Sequence, residues 1–165
     1  MPEASFEKIL EENGALCYKN VGVSMLPLIR EGRDVLVISR RPPERLKKYD
    51  VALYTRPGVI GRGAYVLHRV LKINPDGTYW ILGDNCISGE TVKEENILGV
   101  LTQVVYKGKN RASGFAYWLY VHTWIAAWPL RIFILRAKRL PRKAAVKALK
   151  TLRLYEPLKK ILRRT

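Results

Sequence analysis

The sequence has little cysteine, little histidine and, in its last third, almost no acid. Two cysteines in 165 residues, Cys17 and Cys86, are too few for a disulfide framework, and their spacing fits no metal cluster. No metal or other cofactor is therefore expected, and a reducing compartment is the simpler setting. Only two histidines, His68 and His122, can titrate close to neutral pH without perturbation. Beyond residue 106 the sole acid is Glu156 against sixteen Lys and Arg, a net charge of +15; residues 1–106 balance fourteen cations against thirteen acids. The front half thus reads as a folded module. The tail reads as a surface that seeks an anionic partner, either lipid headgroups or nucleic acid. The first fourteen residues are acidic and amphipathic, which is the pattern of neither a secretory signal nor a membrane anchor. No internal repeat recurs, and the length suits one ordinary domain with an appendage.

Three segments are expected: a helix in residues 1–14, a core in 15–106 and a helical extension in 107–165. Ser5 is a good N-cap and Gly14 a good stop for a helix with Phe6, Ile9 and Leu10 on one face. β-Branched and aliphatic runs bounded by turn residues predict strands over 34–39, 51–54, 64–73, 78–82 and 97–106. Within 64–73, Val66, His68 and Val70 share one face while Leu67, Arg69 and Leu71 share the other. Asp76-Gly77 makes a hairpin of two of these strands, and residues 61–63 read as a flexible tip. The module is expected to be mainly β, built of short strands and tight turns.

Chemistry concentrates in residues 22–33. Ser24 lies between Gly22 and Pro27, ahead of a turn at Glu31-Gly32, so its hydroxyl sits on a short loop. A serine hydroxyl is a weak nucleophile unless a base lies within hydrogen-bond reach and a third group holds that base. His68 is the candidate base, because His122 falls in an aromatic run. Asp84, in Gly83-Asp84-Asn85, and Glu90 are candidates to hold it. Taken singly, each has a plainer reading: a loop serine, a packed histidine, a turn-capping aspartate and a solvated glutamate.

Together these residues resemble a known family. Gly22-Val23-Ser24-Met25-Leu26-Pro27, Tyr49-Asp50-Val51-Ala52-Leu53-Tyr54, Val66-Leu67-His68-Arg69-Val70, and Gly83-Asp84-Asn85 with Ile97-Leu98-Gly99-Val100 are similar, in order, to four blocks of the type I signal peptidases and their LexA-type relatives. His68-Arg69 stands where many bacterial members place a lysine base, so the chain resembles the archaeal and endoplasmic-reticulum branch, which pairs serine with histidine. The resemblance implies a signal-peptidase-like, β-rich fold and a serine endopeptidase that cleaves leader or signal peptides through an acyl-enzyme. It assigns Ser24 as nucleophile, His68 as general base and Asp84 or Glu90 as the acid that orients the imidazole. It gives the oxyanion site to the backbone N–H of Ser24 with a hydroxyl two residues earlier, and places Gly22, Val23, Met25 and Leu26 in the substrate-binding and oxyanion region, Met25 and Leu26 lining a shallow pocket. Gly22 stands where the family has a hydroxyl donor. Arg69 is read as a structural partner for a carboxylate such as Asp84.

The extension is expected to associate with membrane. Residues 115–128 hold six aromatics and no formal charge, Pro129 and Arg131 are expected to interrupt the run before residues 132–135, and a cationic amphipathic helix is expected from Leu140. Spanning the bilayer, lying in its interface and packing on the core are the three alternatives. The interfacial one is favoured, with residues 115–164 on anionic lipid and the active site facing the cytoplasm. Leader-bearing peptides or proteins are the expected substrates. The competing readings are a LexA-like regulatory or self-cleaving module and a non-catalytic scaffold of the same fold, with the basic tail on nucleic acid or lipid. The absence of a helix-turn-helix pattern before the core disfavours nucleic acid.

Overall fold

A computed structural model describes residues 5–19, 21–59 and 64–139, which divide after Trp128 into two compact units. The expected flexible tip at 61–63 and the cationic helix from Leu140 lie outside these residues. In the first unit, α1 (Phe6–Asn13) forms as its caps dictate: Ser5 Oγ accepts the Lys8 N–H at 3.3 Å. Gly14, at φ 69°, ends the helix by donating to the Leu10 carbonyl at 3.1 Å. Leu10 is buried from this helix, and Phe6 packs on Tyr18 and Tyr65.

The rest of the module is one eight-stranded antiparallel sheet, which bears out the mainly β expectation. Its strands are β1 (Ala15–Lys19), β2 (Val35–Arg40), β3 (Val51–Thr55), β4 (Tyr65–Ile73), β5 (Tyr79–Leu82), β6 (Glu90–Val92), β7 (Ile97–Tyr106) and β8 (Lys109–Asn110). The order is β1-β2-β7-β3-β4-β5-β6, with β8 on β7. The five strands read from the sequence all form. β1, β6 and β8 do not show in the periodicity, the last two being too short to display one.

Strand β7 is inserted between β2 and β3, and register breaks at Val37/Ile38 and Leu53/Tyr54 bend the sheet there. Alternation then sends side chains to two apolar clusters. Val51, Leu53 and Leu67 join Leu10, Met25, Ile29 and Leu36 in one, while Ala52, Tyr54, Val70, Ile81, Val92 and Ile97 form the other. Burial on both faces is why β3 reads as an unbroken apolar run.

The aromatic segment forms α2 (Gly114–Tyr120) and a π-helical turn (Val121–Ile125). Tyr117 and Tyr120 pack against the first cluster, whereas Phe115, Trp118 and Leu119 stay exposed. The next helix, α3 (Trp128–Arg139), runs through Pro129 and Arg131, so the expected interruption does not occur. Proline in the first helical turn lacks only an N–H that would have had no helical partner. Among the described residues no helix is long and apolar enough to cross a membrane.

Candidate active site

The serine stretch is a tight run of turns, with a cis Leu26-Pro27 peptide bond, plugged into the core. Ile29 N–H donates to the Met25 carbonyl at 3.0 Å, and Met25, Leu28 and Ile29 are buried in the first cluster. Met25 is wholly inaccessible, so it anchors the loop and does not line an open substrate pocket as expected. Val23 is 56 % exposed, and Ser24 and Leu26 are half-buried, leaving these to form the accessible rim. Gly22 sits at φ 106°, a left-handed conformation that glycine adopts freely and that a hydroxyl-bearing residue would strain.

Two bonds strap this loop to the turn after β5. Asn85 N–H donates to the Ser24 carbonyl at 2.7 Å, and Asn85 Nδ2 donates to the Val23 carbonyl at 3.1 Å. Register brings His68 to the same place. Arg69 pairs with Leu82 across β4 and β5, so the next residue pair along the ladder is His68 and Gly83. A Cβ on Gly83 would lie 2.8 Å from the Ser24 carbonyl oxygen, 2.9 Å from His68 Nε2 and 2.7 Å from Cys86 Sγ. The bare Cα of Gly83 is thus what lets the serine loop and the imidazole close on one point.

The two candidate acids go to opposite faces of β4. Asp84 is buried and takes a bidentate ion pair from Arg69, with Nε to Oδ1 at 2.9 Å and Nη2 to Oδ2 at 2.8 Å, and it also accepts the Tyr120 hydroxyl at 2.8 Å. Asp84 therefore does not hold the imidazole; it holds Arg69, the structural partnership read for that arginine. Glu90 opens β6 opposite Ile81, which pairs with Val70, and so lies on the His68 face. Its Oε1 is 3.9 Å from His68 Nδ1, beyond hydrogen-bond reach.

Two residues missed by the sequence reading fill that gap. Tyr54, two residues along β3 from Ala52, the partner of His68, and so on the same face, donates its hydroxyl to Glu90 Oε1 at 2.5 Å and stands 3.4 Å from His68 Nδ1. Arg56 grips both oxygens of Glu90. The Arg56 hydrogen bond, acting against burial and helped by Tyr54, holds the Glu90 carboxyl below its usual range. Burial pushes His68 from 6.5 down to about 4, with Arg56 adding to the effect and Glu90 and Asp84 opposing it. The imidazole is therefore neutral throughout the neutral range, able to take a proton without first losing one. The expected histidine close to its unperturbed titration point is replaced by one kept unprotonated through burial.

That burial has a measurable consequence for folding. Between pH 6.5 and about 4 the unfolded chain protonates His68 and the native chain does not. His68 is compatible with full stability above pH 6.5 and costs stability as pH falls toward 4. The expected loss from this group is about 2 kcal/mol between pH 7 and pH 5. Urea unfolding of wild type and His68→Gln at the two pH values checks it: the stability of wild type relative to the variant must fall by about that amount from pH 7 to pH 5.

Comparison with family models, with curated proteins and with solved structures finds no match to this chain. The functional reading therefore rests on the residues themselves. Among the described residues no cluster of His, Cys, Asp and Glu has metal-binding geometry.

Proposed function

We propose that this chain is a serine endopeptidase of the signal-peptidase type, with Ser24 as nucleophile and His68 as general base. The observation that carries the reading is the convergence of the Ser24 loop and His68 Nε2 on the bare Cα of Gly83, with the far side of the imidazole backed by Tyr54 and Glu90. A neutral imidazole, a hydroxyl on a strapped loop and a backing network are the parts acyl transfer needs.

In this mechanism Ser24 Oγ attacks the carbonyl carbon of the scissile bond as its proton passes to His68 Nε2. The imidazolium returns that proton to the leaving amine when the C–N bond breaks. Water, deprotonated by the same nitrogen, then releases the acyl group from Ser24. The Ser24 backbone N–H is the candidate donor to the oxyanion. Without a hydroxyl at Gly22 one donor of the resembled family is absent, which would slow acylation by on the order of a hundredfold. Exposed Val23 and half-buried Leu26 are suited to an extended peptide with small side chains ahead of the cut.

An anionic membrane is the proposed setting. Phe115, Trp118 and His122 form a continuous ring stack along one face of the aromatic segment, with Phe115 76 % and Trp118 52 % exposed. Residues 107–165 supply the +15 charge. Interfacial aromatics beside lysines and arginines suit the headgroup layer, at about 1 kcal/mol per well-placed cation.

Incubating a pool of leader and signal peptides with anionic liposomes and either wild type or Ser24→Ala, read by mass spectrometry, tests the reading. Cuts after small residues that occur only with wild type are the expected result. Identical peptide profiles from two folded proteins would remove the peptidase and leave the scaffold reading.

A further inference from the structure

Among the described residues no carboxylate lies within hydrogen-bond distance of the His68 imidazole; a phenol stands there instead. Glu90 Oε1, the nearest carboxylate oxygen, already accepts two donors, the Tyr54 hydroxyl at 2.5 Å and Arg56 Nη2 at 2.5 Å. Oε2 accepts Arg56 Nε at 2.9 Å. The carboxylate is thus committed to Tyr54 and Arg56, and His68 Nδ1 is left 3.9 Å away from it and 3.4 Å from the Tyr54 oxygen.

A phenol has one proton to give. Between an ionised carboxylate at 2.5 Å and a neutral ring nitrogen at 3.4 Å, the proton goes to the carboxylate, because charge-assisted bonds are both shorter and stronger. The Tyr54 oxygen then has only lone pairs to offer the imidazole. His68 must answer with an N–H at Nδ1, which leaves its lone pair on Nε2, the nitrogen beside Gly83 and the Ser24 loop.

We propose that Tyr54 is a positioning residue that sets the His68 tautomer, with Glu90 and Arg56 acting on the base only through the direction they impose on the phenol proton. The proposal rests on the peptidase reading for its role in catalysis but not for its tautomer, which can be read without substrate. Tyr54 lies in the second core cluster with its ring buried, so Tyr54→Phe keeps the packing and removes only the oxygen.

The chain holds only two histidines, and His122 is distinguished by its Nδ1 contact with the Trp118 carbonyl, so the nitrogen resonances of His68 can be assigned at neutral pH. Nitrogen NMR of the full chain is expected to show His68 protonated at Nδ1 and bare at Nε2 in wild type. In Tyr54→Phe the Nδ1–H form loses its dominance. In Glu90→Ala the freed phenol proton turns to Nδ1 and drives the ring to the opposite, Nε2–H form. This second variant needs no change in the core, since the Glu90 side chain is 31 % exposed. On whichever pooled peptide wild type cleaves, Tyr54→Phe should lower kcat by roughly 10- to 100-fold with KM little changed. A wild-type His68 protonated at Nε2, or an Nδ1–H form that persists in both variants, would overturn the proposal. The expected tautomers in an enzyme that cuts no peptide would instead retire the peptidase reading and leave the Tyr54 assignment standing.

Discussion

Alanine at Gly83 is expected to reduce peptide cleavage by at least about a hundredfold while leaving the fold largely intact. The added Cβ would fall 2.7 Å from Cys86 Sγ, 2.8 Å from the Ser24 carbonyl oxygen and 2.9 Å from His68 Nε2, all closer than a methyl group and its neighbour can approach. Gly83 has no left-handed φ, so the backbone itself accepts alanine, and the effect is purely one of space. Cys86 can turn aside. The Ser24 carbonyl cannot, being tied to Asn85 N–H at 2.7 Å, and His68 is confined between β3, β5 and the Tyr54 oxygen. Relief must come from parting the serine loop and the imidazole, and a misplacement near one ångström between reacting groups costs on the order of a hundredfold. The stability penalty should stay within ~1–3 kcal/mol, the range for overpacking by one methyl. Steady-state cleavage alongside urea unfolding checks both halves. Undiminished turnover in a stable Gly83→Ala protein would show that the loop and His68 do not work as a pair. Adding Cys86→Ala should recover stability more than turnover, because it removes the one clash that is unrelated to the Ser24–His68 pair.

How much of this was legible in the sequence depends on whether a feature is local or set by pairing. Ser5 and Gly14 mark the ends of α1 because capping involves only residues within a turn of each other. The five strands read from the sequence announce themselves by composition and by their bounding turns. The division of labour between Asp84 and Glu90 is different in kind. Six residues separate them, and only the path from the turn at Gly83 back along β6 decides that one faces Arg69 and the other the His68 side. Tyr54 and Arg56 were invisible as functional residues for the same reason: their nearness to His68 and Glu90 is a product of the β3–β4 register and the docking of β6. The short loop at Ser24 is legible from its glycine and proline, but the burial of Met25 is not: it comes from packing with Leu28 and Ile29 into the first cluster, which no local spacing announces. Pro129 has the composition of a breaker, but its position one residue into α3 is where proline is best tolerated.

Removal of Arg69 is expected to be the most destabilising single change in the molecule, at about 3–5 kcal/mol, enough to unfold much of a domain whose total stability is of order 5–15 kcal/mol. Both partners of the Arg69–Asp84 pair have side chains with no solvent exposure. Burial works against the guanidinium's charge, but the adjacent carboxylate more than offsets it and holds Arg69 above its ordinary range. The arginine also uses its remaining Nη1 to donate to the Tyr49 carbonyl at 2.9 Å and to the Tyr117 hydroxyl at 3.1 Å. Tyr49 is held at φ 81°, an uncommon conformation for a bulky residue, and Arg69 is one of the groups that fix it. Arg69→Ala therefore leaves a buried carboxylate without its cation, frees a strained tyrosine and drops one of the ties between α2 and the sheet. Asp84→Ala leaves the complementary buried cation and should cost a similar amount. Because each single change strands a charge, the two losses must not add: Arg69→Met with Asp84→Leu, which strands none, should be more stable than either single alanine variant. Thermal and urea unfolding of the two single variants and the apolar double variant decide the point. Additive losses would mean that each residue acts through separate contacts, and Asp84 would have to be reconsidered as a partner of His68. A rescued double variant that still cleaves peptide would place this pair wholly in the scaffold, one strand face away from the proposed Ser24–His68 site.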